Sequence, residues 1–153
     1  MVCIMIPERF STRVLHLNCR HCQTIFTERG MKAKLVAQPG TFRYSTDVRP
    51  YNCALIEPAC SENASNILNK TCACFAQEVG CLGCGTIVGY FIVHPCSTCN
   101  TRSTNGHLWV FYLDNIEEIF RLKANGRDYI HWDQLDDEVN CKNQCLDSDM
   151  VIR

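Results

Sequence analysis

Two stretches of this sequence, Cys19-Arg-His-Cys22-Gln-Thr-Ile-Phe26 and Cys81-Leu-Gly-Cys84-Gly-Thr-Ile-Val88, carry one pattern 62 residues apart. Each reads Cys-x-x-Cys-x-Thr-Ile followed by an apolar residue. Two thiolates at this spacing can grip one tetrahedral ion from a tight turn, and a structural site is filled when two such turns converge. The β-branched continuation sends each turn straight into a strand. A redox-active Cys-x-x-Cys would instead open a helix in a strand–helix–strand unit. The repeat therefore predicts two knuckles at hairpin tips, facing each other as in a zinc ribbon. Cys19, Cys22, Cys81 and Cys84 are its ligands.

The chain has 13 cysteines, an odd number, so they cannot all pair within it. Two further close pairs, Cys72/Cys74 and Cys96/Cys99, suggest a second ion. Cys74 lies seven residues before Cys81, roughly 23 Å away if that segment is extended. Cys96 follows Pro95 beyond the far end of the 86–93 segment. If strands 75–80 and 85–94 pair, these cysteines meet at the base of the hairpin. Two zinc ions are thus expected, the second held by Cys72, Cys74, Cys96 and Cys99. Cys3, Cys53, Cys60, Cys141 and Cys145 are left over. His21, His94 and His107 lie close enough to the paired cysteines to replace a ligand, or to support one from behind.

Outside the knuckles, short alternating segments at 14–19, 24–27, 41–44, 86–93, 107–113 and 129–132 read as strands. Arg29-Gly30 and Pro39-Gly40 read as turns, and 57–71 as a loop. Asp114 is a candidate N-cap for a short helix, with Glu117 in capping-box position and Ile116, Ile119 and Phe120 as its apolar face. The expectation is a mainly β single domain over 1–153 with one or two short helices. Its ordered core spans about 12–133, and an acidic tail, 134–153, is flexible.

Apolar residues make up 46% and charged ones 20%, a globular composition. Fifteen basic against sixteen acidic side chains give a net charge of −1, without the basic footprint of a nucleic-acid binder. The apolar start, Met1 to Ile6, is too short for a secretory signal, and no run is long enough for a membrane span. These features predict a reducing compartment, where thiols bind metal rather than crosslink. No Ser/His/Asp spacing, phosphate loop or carboxylate pair points to catalysis.

Several motifs together resemble one family. Arg29-Gly-Met-Lys-Ala33, Tyr44-Ser-Thr-Asp47, Cys72-Ala-Cys74, Cys81-Leu-Gly-Cys-Gly-Thr-Ile-Val-Gly-Tyr90, Pro95-Cys-Ser-Thr-Cys99 and Asn105-Gly-His-Leu-Trp-Val-Phe111 are similar to the eukaryotic "family with sequence similarity 72". The match runs from about Cys19 to Trp132. It implies a zinc-ribbon-containing β-tent, Yippee-like and related to the cereblon ligand-binding domain and methionine-R-sulfoxide reductases. It further implies a non-catalytic adaptor that binds a peptide of nuclear uracil-DNA glycosylase. The adaptor would promote ubiquitin-dependent degradation of that enzyme, with a ubiquitin ligase complex as second partner, in nucleus and cytoplasm.

Such an adaptor needs exposed aromatic anchors on a rigid scaffold. Trp132, Trp109 and Tyr90 are the candidates. Tyr90 and Phe91 fall on opposite faces of one strand. The alternative, by analogy with the reductases, is a thiol enzyme using Cys53 or Cys60 as nucleophile, which requires a lowered thiol pKa.

Overall fold

A computed structural model of the chain describes residues 5–6, 12–35, 40–57, 74–97 and 106–135. Among these residues nine strands, β1 (Met5–Ile6), β2 (Leu15–Cys19), β3 (Ile25–Leu35), β4 (Phe42–Thr46), β5 (Cys53–Leu55), β6 (Phe75–Cys81), β7 (Ile87–His94), β8 (Trp109–Phe111) and β9 (Ile116–Phe120), form one sheet. Eight run in the order β5-β6-β7-β8-β4-β3-β2-β9, and β1 pairs the far end of β3. The strand pairings are antiparallel: β2–β3, β3–β4 and β6–β7 follow one another along the chain, whereas β4–β8 and β2–β9 join strands distant in sequence.

The hairpins β2–β3 and β6–β7 are separated in this order by β8 and β4, yet their tips meet at thiol distance. The sheet is therefore curled into a half-barrel, and the right-handed twist of adjacent strands supplies the curvature. Alternation gives it two apolar faces. Leu17, Phe26, Tyr44, Val79, Val88 and Phe111 pack on the knuckle side. Ala33, Leu35, Ala76, Tyr90, Ile92 and Val110 pack on the other.

The expected pairing of 75–80 with 85–94 forms, with Phe75 opposite His94 and Gly80 opposite Ile87. Other expectations change. Asp114 starts no helix: Leu113–Asn115 is a single 3-10 turn capped by Tyr112 without a side-chain bond, and Ile116–Phe120 is strand. Each residue of β9 pairs with one of β2. Only Ile116 is buried, while Ile119 and Phe120 remain exposed. Completing the ladder along β2 outweighs the local helical signal.

Arg29-Gly30 is not a turn but part of β3. Gly30 sits opposite Leu15 beside a register shift, and a Cβ there would lie 2.4 Å from Leu17 Cγ. The glycine thus marks close strand contact. Tyr129–Trp132 is not a strand; Tyr129 and His131 make isolated bridges to Leu122 and Arg13, and Trp132–Gln134 is a 3-10 turn. The 107–113 strand shortens to Trp109–Phe111. The 57–71 loop from residue 58 onward, and the acidic tail from residue 136, lie outside the described residues. No helix among the described residues is long and apolar enough to cross a membrane.

Candidate metal centre

Each knuckle is built by the same local bonds. Cys19 N donates to Thr24 O at 2.8 Å and Gln23 N to Cys19 O at 2.9 Å; Cys81 N donates to Thr86 O at 2.9 Å and Gly85 N to Cys81 O at 2.8 Å. The turn closes through a left-handed residue, Gln23 (φ 62°) in one knuckle and Gly85 (φ 76°) in the other. Glycine adopts this conformation without steric cost, whereas Gln23 is held there by its surroundings.

The four sulfurs come together. Every Sγ of Cys19, Cys22, Cys81 and Cys84 lies within 4.8 Å of the others, with Cys19–Cys84 at 3.7 Å and Cys22–Cys81 at 3.6 Å. Four thiolates bonded tetrahedrally to one zinc would stand ~3.8 Å apart, given a Zn–S bond near ~2.3 Å. The two closest separations match that edge, and the four sulfurs are grouped closely enough to close on one zinc ion with small adjustments. Gly83 makes this closeness possible, because a Cβ there would lie 2.3 Å from Thr24 Oγ1 and 2.9 Å from Cys22 Sγ.

Two asparagines tie the knuckles to each other in matching fashion. Arg20 N donates to Asn115 O at 3.0 Å, and Asn115 Nδ2 donates to Ile87 O at 2.8 Å, so Asn115 spans from the first knuckle to the second. Leu82 N donates to Asn52 O at 2.9 Å, and Asn52 Nδ2 donates to Ile25 O at 3.0 Å, which spans the reverse way. Tyr51 N to Phe26 O (2.7 Å) and Tyr112 N to Val88 O (2.9 Å) repeat the relation one residue further on. The centre has an approximate two-fold arrangement of backbone, side-chain clamp and ligand. Sequence reading missed Asn52 and Asn115, since neither stands in a repeated motif. Thr24 and Thr86 were visible in the repeat.

The metal-free thiols differ in character. Cys22 and Cys84 are exposed, Cys19 and Cys81 buried. Hydrogen bonding from the Thr24 side chain and backbone draws the Cys22 thiol down to about 6, with Thr24 Oγ1 3.1 Å from its sulfur. Thr86 acts the same way on Cys84. Burial pushes Cys19 up to about 12. At about 6 the Cys22 thiolate is already present at pH 7, whereas the Cys19 thiol, pushed up by burial, keeps its proton. In protein still folded just after a chelator withdraws its zinc at pH 7, iodoacetamide should therefore label Cys22 at least about tenfold faster than Cys19, read by peptide mapping. Lowering the pH below 6 slows Cys22, and zinc protects all four. Uniform labelling would contradict this division.

The second expected group is only partly within view. Cys72 and Cys99 lie outside the described residues. Cys96 N donates to Cys74 Sγ at 3.0 Å, so these two meet at the base of the hairpin. Cys74 is disulfide-bonded. In that form it is no thiolate ligand, and one four-thiol group stands among the described residues. None of the three histidines joins it. His21 Nε2 lies 3.3 Å from Asn115 Oδ1, His107 Nδ1 3.2 Å from Ser45 Oγ, and His94 packs beside Phe75.

The aromatic candidates do not share a surface. Tyr90 is 1% exposed, a core residue with no surface to offer a partner. Trp109 is half-buried against Phe91, ring centroids 4.4 Å apart, on the face shared with Thr46. Trp132 is on the opposite face, that of Ser45: its ring lies 4.8 Å from His107, Arg29 stacks over it at 5.2 Å, and its Nε1 donates to Gly30 O at 3.3 Å. Arg29 is itself fixed by Asp47, at 2.7 Å. Cys53 stands opposite Cys81 in the ladder, where burial and the neighbouring thiols push it up to about 12. Cys60 lies outside the described residues.

The model of one family, described as Yippee homolog 2 zinc finger protein, matches residues 8–152. That span contains both knuckles and both asparagine clamps. With the mainly β sheet and the four-thiol group already in place, the chain belongs to the Yippee homolog 2 zinc finger protein family.

Proposed function

We propose that this protein is a non-catalytic zinc-binding adaptor that captures a segment of nuclear uracil-DNA glycosylase. It delivers that enzyme to a ubiquitin ligase for degradation, modulating uracil repair in nucleus and cytoplasm. The motif resemblance between Cys19 and Trp132 supports the client, and family membership supports the zinc scaffold. Reduced protein takes a second ion at Cys72, Cys74, Cys96 and Cys99.

The observation that carries the reading is Trp132. It belongs to neither apolar cluster and is half-buried, yet it is fixed by Gly30, His107 and Arg29. An aromatic ring presented at a surface with its conformation already set loses little entropy on binding, and tryptophan is enriched at binding hot spots. The thiol-enzyme alternative gains no support from Cys53, whose buried thiol is pushed up rather than activated.

Trp132→Ala should retain zinc at the wild-type stoichiometry and weaken capture of the glycosylase by on the order of tenfold or more. Binding of purified glycosylase to zinc-loaded protein, measured calorimetrically beside metal content, tests this. Wild-type affinity in the variant would remove Trp132 as the anchor.

A further inference from the structure

β9 is the last strand in the sheet order, and among the described residues no strand pairs with its outer edge. Its hydrogen-bond phase can be read from its two ends. Arg121 N donates to Val14 O, and Arg20 N donates to Asn115 O. In an antiparallel ladder the bonded pairs alternate, so the backbone groups of residues 117 and 119 face β2 and those of 116, 118 and 120 face outward. Arg20 Nη2 takes up Ile116 O at 3.0 Å. The N–H and C=O groups of Glu118 and Phe120 are left along the outer edge.

The side chains on this edge divide sharply. Glu117 and Glu118 are exposed carboxylates. Beside burial, the Glu118 carboxylate raises the pKa of the Tyr44 hydroxyl, so it lies near that hydroxyl on the knuckle face. Next to them Ile119 is 48% and Phe120 43% exposed. Phe120 meets Tyr129 edge-on at 5.3 Å, and the Arg13 guanidinium covers both rings. Charges on an edge strand oppose pairing with a like strand. A second copy placed antiparallel across this edge, centred on Glu118, would set carboxylate against carboxylate. The same carboxylates favour a basic strand.

We propose that the outer edge of β9 receives an extended, basic segment of a partner protein as an added antiparallel strand. Register dictates the segment's chemistry. Running opposite to β9, it places an aromatic or aliphatic residue against Phe120, then a β-branched one against Ile119, then lysine or arginine against Glu118 and against Glu117. Backbone bonds to Glu118 and Phe120 supply the attachment, and the two apolar–two basic order supplies the selection. This deepens the adaptor reading by giving the chemistry of the captured segment, and so rests on it.

The test uses zinc-loaded, 15N-labelled full-length protein and two blocked hexapeptides, Thr-Phe-Val-Lys-Arg-Thr and Thr-Phe-Val-Glu-Glu-Thr. The basic peptide should shift the Glu118 and Phe120 amides, protect them from hydrogen exchange, and bind at least about tenfold more tightly than the acidic one. The double variant Glu117→Lys/Glu118→Lys should invert that preference while keeping its zinc. Equal binding of both peptides, no binding, or shifts that spare β9 would overturn the proposal, and the wild-type spectra decide this even if the variant misfolds. A wild-type dimer that the double variant disperses would assign the edge to a second copy instead. Neither peptide is a fragment of the glycosylase, so the two readings fail separately. Failure of the peptides beside intact glycosylase capture removes the edge, whereas failed capture beside successful peptide binding removes the glycosylase.

Discussion

Cys81→Ser should abolish zinc binding and, with it, the cooperatively folded state. Cys81 is 3% exposed and ends β6 inside the knuckle-side cluster. A serine hydroxyl does not ionise near neutral pH, so the variant offers three thiolates and a buried polar group with no ion to hold it. Structural zinc sites carry an apparent binding free energy of about 10–16 kcal/mol near pH 7. The net stability of a folded domain is about 5–15 kcal/mol. Losing the ion therefore removes an amount comparable with the entire net stability. The check is near-UV circular dichroism and a thermal melt beside metal analysis, with chelated wild-type protein as the parallel sample. A sharp melt at the wild-type temperature in the zinc-free variant would show that strands alone hold the sheet.

Phe111→Ala is the second large effect. The Phe111 ring is fully buried and stacks on Phe26 with centroids 5.6 Å apart and planes within 2°. Removing it opens a cavity in a face that cannot collapse, because the knuckles fix one end of the hairpins. Phe→Ala changes in such cores cost about 3–5 kcal/mol, which lowers the melting temperature of a domain this size by roughly 6–20 °C. Phe26 directly follows the first knuckle, so the loss should also loosen the metal centre, seen as faster zinc transfer to a chromogenic chelator. Phe26→Ala and the double variant complete a cycle. The stack predicts a coupling of about 0.5–1.5 kcal/mol; strict additivity would mean that the two rings act separately.

The metal centre was legible because ligand chemistry is local: two thiolates and their turn sit within four residues, and the Thr-Ile continuation marks each as a hairpin tip. The repeat also chose the pairing of Cys19/Cys22 with Cys81/Cys84, which the sulfur positions bear out. Asn52 and Asn115 were illegible for the opposite reason. Each acts on a knuckle distant in sequence, and an asparagine in a connection has many ordinary roles. The segment 114–120 misled because Ile116, Ile119 and Phe120 suit one helical face, while the five residues also suit a strand edge. Only the need of β2 for a partner decides between them. Alternation placed Tyr90 and Phe91 on opposite faces but could not say that Tyr90's face is covered. The oxidation state of Cys74 depends on a partner that spacing does not identify.

The pairing of distant knuckles also sets the order in which the molecule can be assembled. As the chain is synthesised, Cys19 and Cys22 emerge first of the four ligands and offer only two thiolates, too few to close a tetrahedral site. A metal caught there remains exchangeable until Cys84 follows, 62 residues after Cys22. The second clamp waits longer still, for Asn115. Closing so long a loop is entropically slow, so loading is a late event that coincides with completion of the sheet. A ribosome-bound chain ending before Asn115 would hold its zinc loosely, and the finished protein tightly.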